Sequence, residues 1–460
     1  MRRIGKRNRI AGLILLLVLL TGCRRETGIT AEESSAEATT SAAVVTTAET
    51  EPEMAAKIES VLWEGFDDFV LPAGYSRVTE MGVPPVKDQG SLGTCWAFAS
   101  LMALKTSGMP EITMDLSEDH MSNNKNFTLT QYQGGEYTMA LAYLLSWQGP
   151  VLEEEDPYGD FYSPEGLQAA MHLQGVYFLP EKDYDAIKRA VYRIGGVQSS
   201  LYTQLKNAYS QSYYYNQETG AYCYDGDRES NHEVVIVGWD DDYPKENFSV
   251  EVPGDGAFLC ANSWGREFGE DGFFYVSYYD TTIGIHNVVY SGLEEAKNYD
   301  HIYQSDLCGW IGSLGYGEES AWAANVYEAA ADEILRSVGF YALGKETEYE
   351  VYVVTGAAAE VDFSERELAA KGRVSYSGYY TVPLDLQVPL AAGERFAVMI
   401  RLTTPGSVHP IAIEYDANDE KSRIDLNDGE GYISPDGAIW ENTEMTQQCN
   451  ICLKAYTDRQ

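Results

Sequence analysis

Three residues stand in settings that suit nucleophilic chemistry: Cys95, His232 and Asn262. Cys95 ends the run Gln89-Gly90-Ser91-Leu92-Gly93-Thr94 and opens a helix-forming stretch that reaches Ser107. Glycines at 90 and 93 permit a tight loop that delivers the cysteine to the first turn of that helix. Unpaired N–H groups there favour negative charge, so the thiol is expected to ionise more readily than a free cysteine. The thiolate is the attacking form. Gln89 lies six residues earlier, where a returning loop can aim its amide N–H at the oxygen of a reacting carbonyl. With the Cys95 backbone N–H it would form an oxyanion hole.

A thiolate needs a base, and the chain has six histidines. His120, His172, His286, His301 and His409 lie in stretches with no matching context. His232 heads the apolar run Glu233 to Val237, where a strand can hold an imidazole at the rim of a core. Asn262 follows a second apolar run, Ala257 to Ala261. Its side-chain oxygen can accept the second imidazole N–H and fix the ring. Trp264 can cover that bond and keep water from competing. Each residue alone is ordinarily structural; the set, in this order, points to acyl transfer.

These groups require a scaffold. Helical patterning covers Cys95 to Ser107 and Gly135 to Trp147, while Glu233–Val237, Ala257–Ala261 and Gly272–Tyr278 read as strands. Helices first and strands later predict an α+β unit over 71–293. A second unit, 298–458, is almost all strand by pattern. Tyr349, Val351 and Val353 alternate to one face, as do Phe396, Val398, Ile400 and Leu402, and Cys449, Ile451, Leu453 and Ala455. Gly- and Asp-rich turns between such runs predict a β-sandwich.

The order Gln89, Cys95, His232, Asn262-Ser263-Trp264-Gly265 resembles the papain family of cysteine peptidases, as do Leu116-Ser117-Glu118 and Gly134-Gly135. The resemblance implies a two-lobed peptidase with a helical lobe and a β lobe. It also implies catalysis by Gln89, Cys95, His232 and Asn262 without a cofactor. Gly134, Gly135 and Trp264 would bind the substrate, a protein or peptide. A family disulfide would join positions 92 and 132, which are Leu92 and Tyr132 here, so that region is expected to be repacked. The later segment resembles the lectin-like domain of Gram-positive surface cysteine proteases, through Tyr299–Asp306, Ser337–Tyr341 and Ile451–Thr457. That resemblance implies a sandwich with a cell-wall or host glycan, or structural calcium, as ligand. Asp416, Asp419, Asp425 and Asp428 either supply oxygens to such an ion or simply make turns.

The start of the chain predicts export. Five bases and no acid occupy the first 22 residues, before and around an apolar run from Ile10 to Leu20 that ends in Leu20-Thr21-Gly22-Cys23. This is the layout of a lipoprotein-type signal peptide over 1–22, with Cys23 as the lipidated residue. Residues 23–55, rich in Ser, Thr, Ala and Glu, read as a flexible stalk, and 56–70 as a short pro-segment or strap. The expected location is the outer face of a bacterial membrane.

With 71 acidic against 32 basic residues and a formal charge of -39, the surface repels phosphate backbones, which excludes nucleic acid as a partner. Seven cysteines, two of them already assigned, leave five and no disulfide scaffold. No short ligand spacing suggests a metal centre, and Cys449 and Cys452 on one strand would face opposite sides. The rival to an enzyme is a surface adhesin that uses the same scaffold without chemistry.

Overall fold

The computed structural model describes residues 69–123, 126–357, 362–417 and 422–460. The leader, Cys23, the stalk, positions 56–68 and Asp419 lie outside the described residues.

The helix Cys95–Ser107 forms as its pattern predicts. Ala97, Ala99, Leu101, Met102, Ala103 and Leu104 are strong helix formers, and Gly108 ends the run. Nearly every side chain from Trp96 to Thr106 is buried, so this helix is a core element rather than an amphipathic surface one. The helix Tyr137–Leu145 is shorter than expected and packs into the same apolar cluster through Leu141, Leu144 and Leu145.

The strand His232–Asp240 lies between Val197–Leu201 and Ala257–Ala261, antiparallel to both. Val235 pairs with Ala261, and this register carries His232 alongside the Asn262–Trp264 run. Alternate residues serve two cores. Val234 and Ile236 face one apolar cluster, while Val235 and Val237 join the cluster that contains the Cys95–Ser107 helix. The strand is thus the wall between the two lobes.

The predicted second unit is a sandwich, but it is not detached from the first. The strand Ser377–Leu390 pairs with Met171–Leu179, so one 13-stranded sheet runs from the peptidase-like part into the sandwich. A six-stranded sheet packs on its far end and buries Tyr349, Val351, Val353, Phe396, Val398 and Ile400 against Leu335, Val338 and Phe340. The alternation read from the sequence is correct for those faces. The opposite faces are covered as well: Val354, Ala397 and Met399 are buried in a separate cluster. Trp147, stacked on His172 with centroids 3.7 Å apart, and the Gln304 to Ser146 hydrogen bond close the junction.

Cys449 and Cys452 fall on either side of a break between Cys449–Ile451 and Leu453–Arg459, and they enter different apolar clusters. Cys95, Cys223, Cys260, Cys308, Cys449 and Cys452 are all free thiols.

Among the described residues the sandwich contains one ion pair sealed from water. Lys454 Nζ lies 2.6 Å from Asp306 Oδ1, with side chains 1% and 0% exposed, and also donates to Gln304. Removing one partner strands the other's charge in the core. Asp306→Ala should therefore cost about 3–5 kcal/mol. The loss should appear as a lower urea midpoint with an unchanged slope.

Candidate active site

The loop before Cys95 is fixed by contacts that span the chain. Residues 87–89 run antiparallel to 263–265: Gln89 N–H donates to the Ser263 carbonyl at 2.8 Å and Gly265 N–H to the Lys87 carbonyl at 3.0 Å. Gly93 N–H donates to the Gln131 carbonyl at 2.7 Å. Gly93 and Gly135 are glycines for want of space. A Cβ at Gly93 would lie 2.8 Å from the Gly134 backbone, and one at Gly135 would lie 2.4 Å from Trp96 Nε1. The paired glycines therefore sit directly against the nucleophile loop and the first turn of its helix.

The Gln89 side chain is buried and oriented at both ends. Ser263 Oγ donates to its Oε1 at 2.6 Å, and its Nε2 donates to the Leu92 carbonyl at 2.7 Å. One of the two amide protons is thereby used, which leaves the second for a ligand. Ser263 was recognised only as part of a motif; its role in orienting Gln89 is visible only in three dimensions. Tyr158 was missed altogether. Its hydroxyl lies 2.6 Å from Thr94 Oγ1 and donates to the Gln89 carbonyl at 3.0 Å, and its ring meets Phe98 edge-on. It clamps both ends of the loop. In sequence it appears only as the aromatic residue of a Pro-Tyr-Gly turn.

His232 Nε2 and Asn262 Oδ1 are 2.8 Å apart, and Ser263 N–H donates to that same oxygen at 2.8 Å. A backbone donor identifies the atom as oxygen, so the imidazole must donate to it through Nε2–H. Nδ1 is then the unprotonated nitrogen. Trp264 is buried and stacks on the imidazole with centroids 4.7 Å apart, while Phe268 meets its edge. It acts as a shield for the histidine.

The helix that opens at Cys95 packs against the strand that opens at His232, which brings together segments 137 positions apart in sequence. The thiol lies against the backbone N–H of Glu233, next to His232, and against the N–H groups of Cys95 and Trp96. Those donors lower its pKa as the helix-start argument requires. Burial outweighs them, with the charge of Glu233 adding to it, and pushes the thiol up to about 12. Burial likewise takes His232 down to about 4, opposed by its bond to Asn262. The helix-start donors and burial thus act on the thiol in opposite directions, and burial is the larger of the two. Between about 4 and about 12 burial favours the protonated thiol and the neutral imidazole.

The region of the absent disulfide is only half repacked. Leu92 is buried, whereas Tyr132 is 69% exposed and stacks on Phe161 at the surface.

Two acidic groups bear on metal binding. Asp119, Asp156 and Asp160 bring carboxylate oxygens within 4.8 Å of one another. Asp119 is already occupied by Gln131, Gly159 and Asn123 donors, so it braces the 156–160 loop. In the sandwich, Asp425 Oδ1 accepts the Asn427 backbone and side-chain N–H groups, which is the turn role anticipated for it. Asp428 instead crowds against Glu444. Burial, then the Glu444 charge, raises it to about 6. Glu430, raised to about 8 by burial and then by Asp428, completes a carboxylate group that the sequence did not reveal.

Residues 73–293 match the family described as papain family cysteine protease, and residues 302–457 match the lectin-like domain family. Cathepsin K of Gallus gallus is 32% identical over 204 residues, covering 42% of this chain and 54% of the relative. Cathepsin K of Mus musculus is 29% identical over 199 residues, covering 42% and 55%. The chain thus spans about half the length of these curated relatives. A solved structure of the cysteine protease and lectin-like domains of Cwp84, a surface layer associated protein of Clostridium difficile, superposes with a TM-score of 0.74. It is 28% identical and covers 85% of this chain and 90% of that one. A second Cwp84 structure, after propeptide cleavage, gives a TM-score of 0.75 at 28% identity, covering 84% and 99%.

Proposed function

We propose that this chain, a papain-family peptidase domain followed by a lectin-like domain, hydrolyses peptide bonds through an acyl-enzyme on Cys95. The observation that carries the reading is the tautomer of His232. With Asn262 Oδ1 pinned by the Ser263 N–H, the imidazole keeps a lone pair on Nδ1 for the sulfur's proton. As the sulfur attacks the carbonyl carbon, Nδ1 takes that proton, and the resulting imidazolium sits beside the thiolate-derived centre. Gln89 Nε2–H and the Cys95 N–H stabilise the oxygen as it gains charge. The imidazolium protonates the leaving amine, and His232 then activates a water that frees the acyl group and restores the thiol.

Burial favours neutral resting forms of the half-buried Cys95 and of His232, which suits this sequence of steps. Charge is created only when substrate arrives, in a site already dry and lined with donors. Selective labelling of Cys95 by a thiol-directed epoxide, mapped by mass spectrometry, is the expected outcome. A scaffold used only for adhesion should show no such selectivity, and an unlabelled Cys95 would favour it. Gln89→Ala should lower kcat by about 10²–10³ with a small change in KM, as measured with a fluorogenic peptide.

The same reading extends to location and partners. The run Leu20-Thr21-Gly22-Cys23 supports export with a lipid anchor on Cys23. A Cys23→Ala chain recovered in the medium rather than with membranes would agree with it, and unchanged membrane retention would refute it. The lectin-like domain supports a glycan as a second partner. The acids proposed to hold structural calcium there are Asp416, Asp419, Asp425 and Asp428.

A further inference from the structure

We infer that the recess beside Cys95 takes a cationic side chain of the substrate, with Glu233 as the residue that recognises it. This rests on the peptidase reading above and names its substrate class.

Glu233 follows His232 on the strand, so its side chain leaves on the face opposite the imidazole, the face turned to the Cys95–Ser107 helix. It remains close enough for its charge to act on the Cys95 thiol. Its carboxylate is met only by neutral donors. Ser200 Oγ donates to Oε1 at 3.0 Å and Gln198 Nε2 to Oε2 at 3.4 Å. Among the described residues no lysine or arginine pairs with it, and the charge that acts on it is that of a second acid, Glu136. His286 does not supply the missing cation. Ser200 has one proton and gives it to Glu233, so at 3.1 Å it accepts from His286 Nδ1–H, and burial keeps that imidazole neutral.

The recess has an orientation. Glu136 follows the paired glycines and is exposed, Tyr137 and His286 are half-buried with rings 5.8 Å apart, and Glu233 lies deeper, next to the nucleophile. Glu136 and Glu233 are the acids on this side, with His286 as a neutral base; Glu233 also lines a recess with Lys87 and Lys105, but those lysines are already held by Asp115, Glu118 and Glu153. A partly desolvated carboxylate without a counter-ion is costly to keep charged, which fits its pKa rising to about 7 through burial. A lysine or arginine from the substrate would complete the pair and hold Glu233 ionised. A neutral side chain would leave it unpaired, and that difference is the basis of discrimination.

The test is a peptide library randomised on both sides of the scissile bond, digested by the full wild-type chain and by Glu233→Gln. One position should be enriched in Lys and Arg with the wild-type protein. For matched fluorogenic peptides differing only there, the kcat/KM ratio of Arg over Leu should fall by about 30-fold or more in Glu233→Gln. Glu136→Gln, nearer solvent, should reduce the ratio less. A residue that merely braces Ser200 and Gln198 would alter stability without moving this ratio. A library cut by wild-type protein with no cationic preference overturns this inference alone, whether or not the variant folds. A preference unchanged in a folded Glu233→Gln also overturns it. A library left uncut by protein whose Cys95 is unreactive overturns the peptidase reading instead.

Discussion

Cys95→Ala should lower kcat by about 10⁶, to a residue set by binding and oxyanion contacts alone. The argument is stoichiometric. Every step of the proposed reaction passes through the sulfur, and no other thiol among the described residues can replace it. Cys260 is fully buried behind the strand Ala257–Ala261, with its pKa well above that of a free cysteine because of burial. Cys223, Cys308 and Cys449 are buried with thiols raised to about 12, again through burial, and lack an imidazole aligned as His232 is. The substitution removes one sulfur from a half-buried position at a helix start, where alanine is well tolerated, so the fold should survive. A fluorogenic peptide assay alongside thermal unfolding separates lost chemistry from lost structure.

His232→Ala should lower kcat by about 10⁴–10⁶, and the double variant with Cys95→Ala should be little worse than either single one. Such non-additivity is expected of groups that share one proton. The pH profile carries the same information. Below about 4 both members of the pair are protonated, so the imidazole has no lone pair to receive the sulfur's proton and activity falls. As pH rises through about 4, His232 loses its proton, Nδ1 becomes a base and activity appears. Wild-type kcat/KM should therefore rise on an acid limb near that value, and residual His232→Ala activity should lack this limb.

Much of this site could be read from the chain, because its parts are local. The helix Cys95–Ser107 is bounded by a glycine loop and Gly108, and Ala257–Ala261 is a short apolar run, so both were located to the residue. The identities of Gln89, Cys95, His232 and Asn262 followed from motif order. Contacts that form between distant segments left no such pattern. Neither the Tyr158 clamp nor the Ser263 hydroxyl on Gln89 announces itself in sequence. The joining of both units by one sheet was equally hidden, since pairing between Ser377–Leu390 and Met171–Leu179 depends on register across some 200 residues. The balance of effects on the thiol was hidden for a related reason. The helix effect can be inferred from the residues around Cys95, whereas the depth of burial is a property of the assembled lobes.

The most direct measurement is rapid-quench mass spectrometry of the intact chain during turnover of an activated ester or peptide substrate. A mass increase equal to the substrate's acyl portion, mapped to Cys95 and decaying as product is released, is the predicted result. Sustained hydrolysis with no adduct at that sulfur, or with the acyl group on another side chain, would contradict the account.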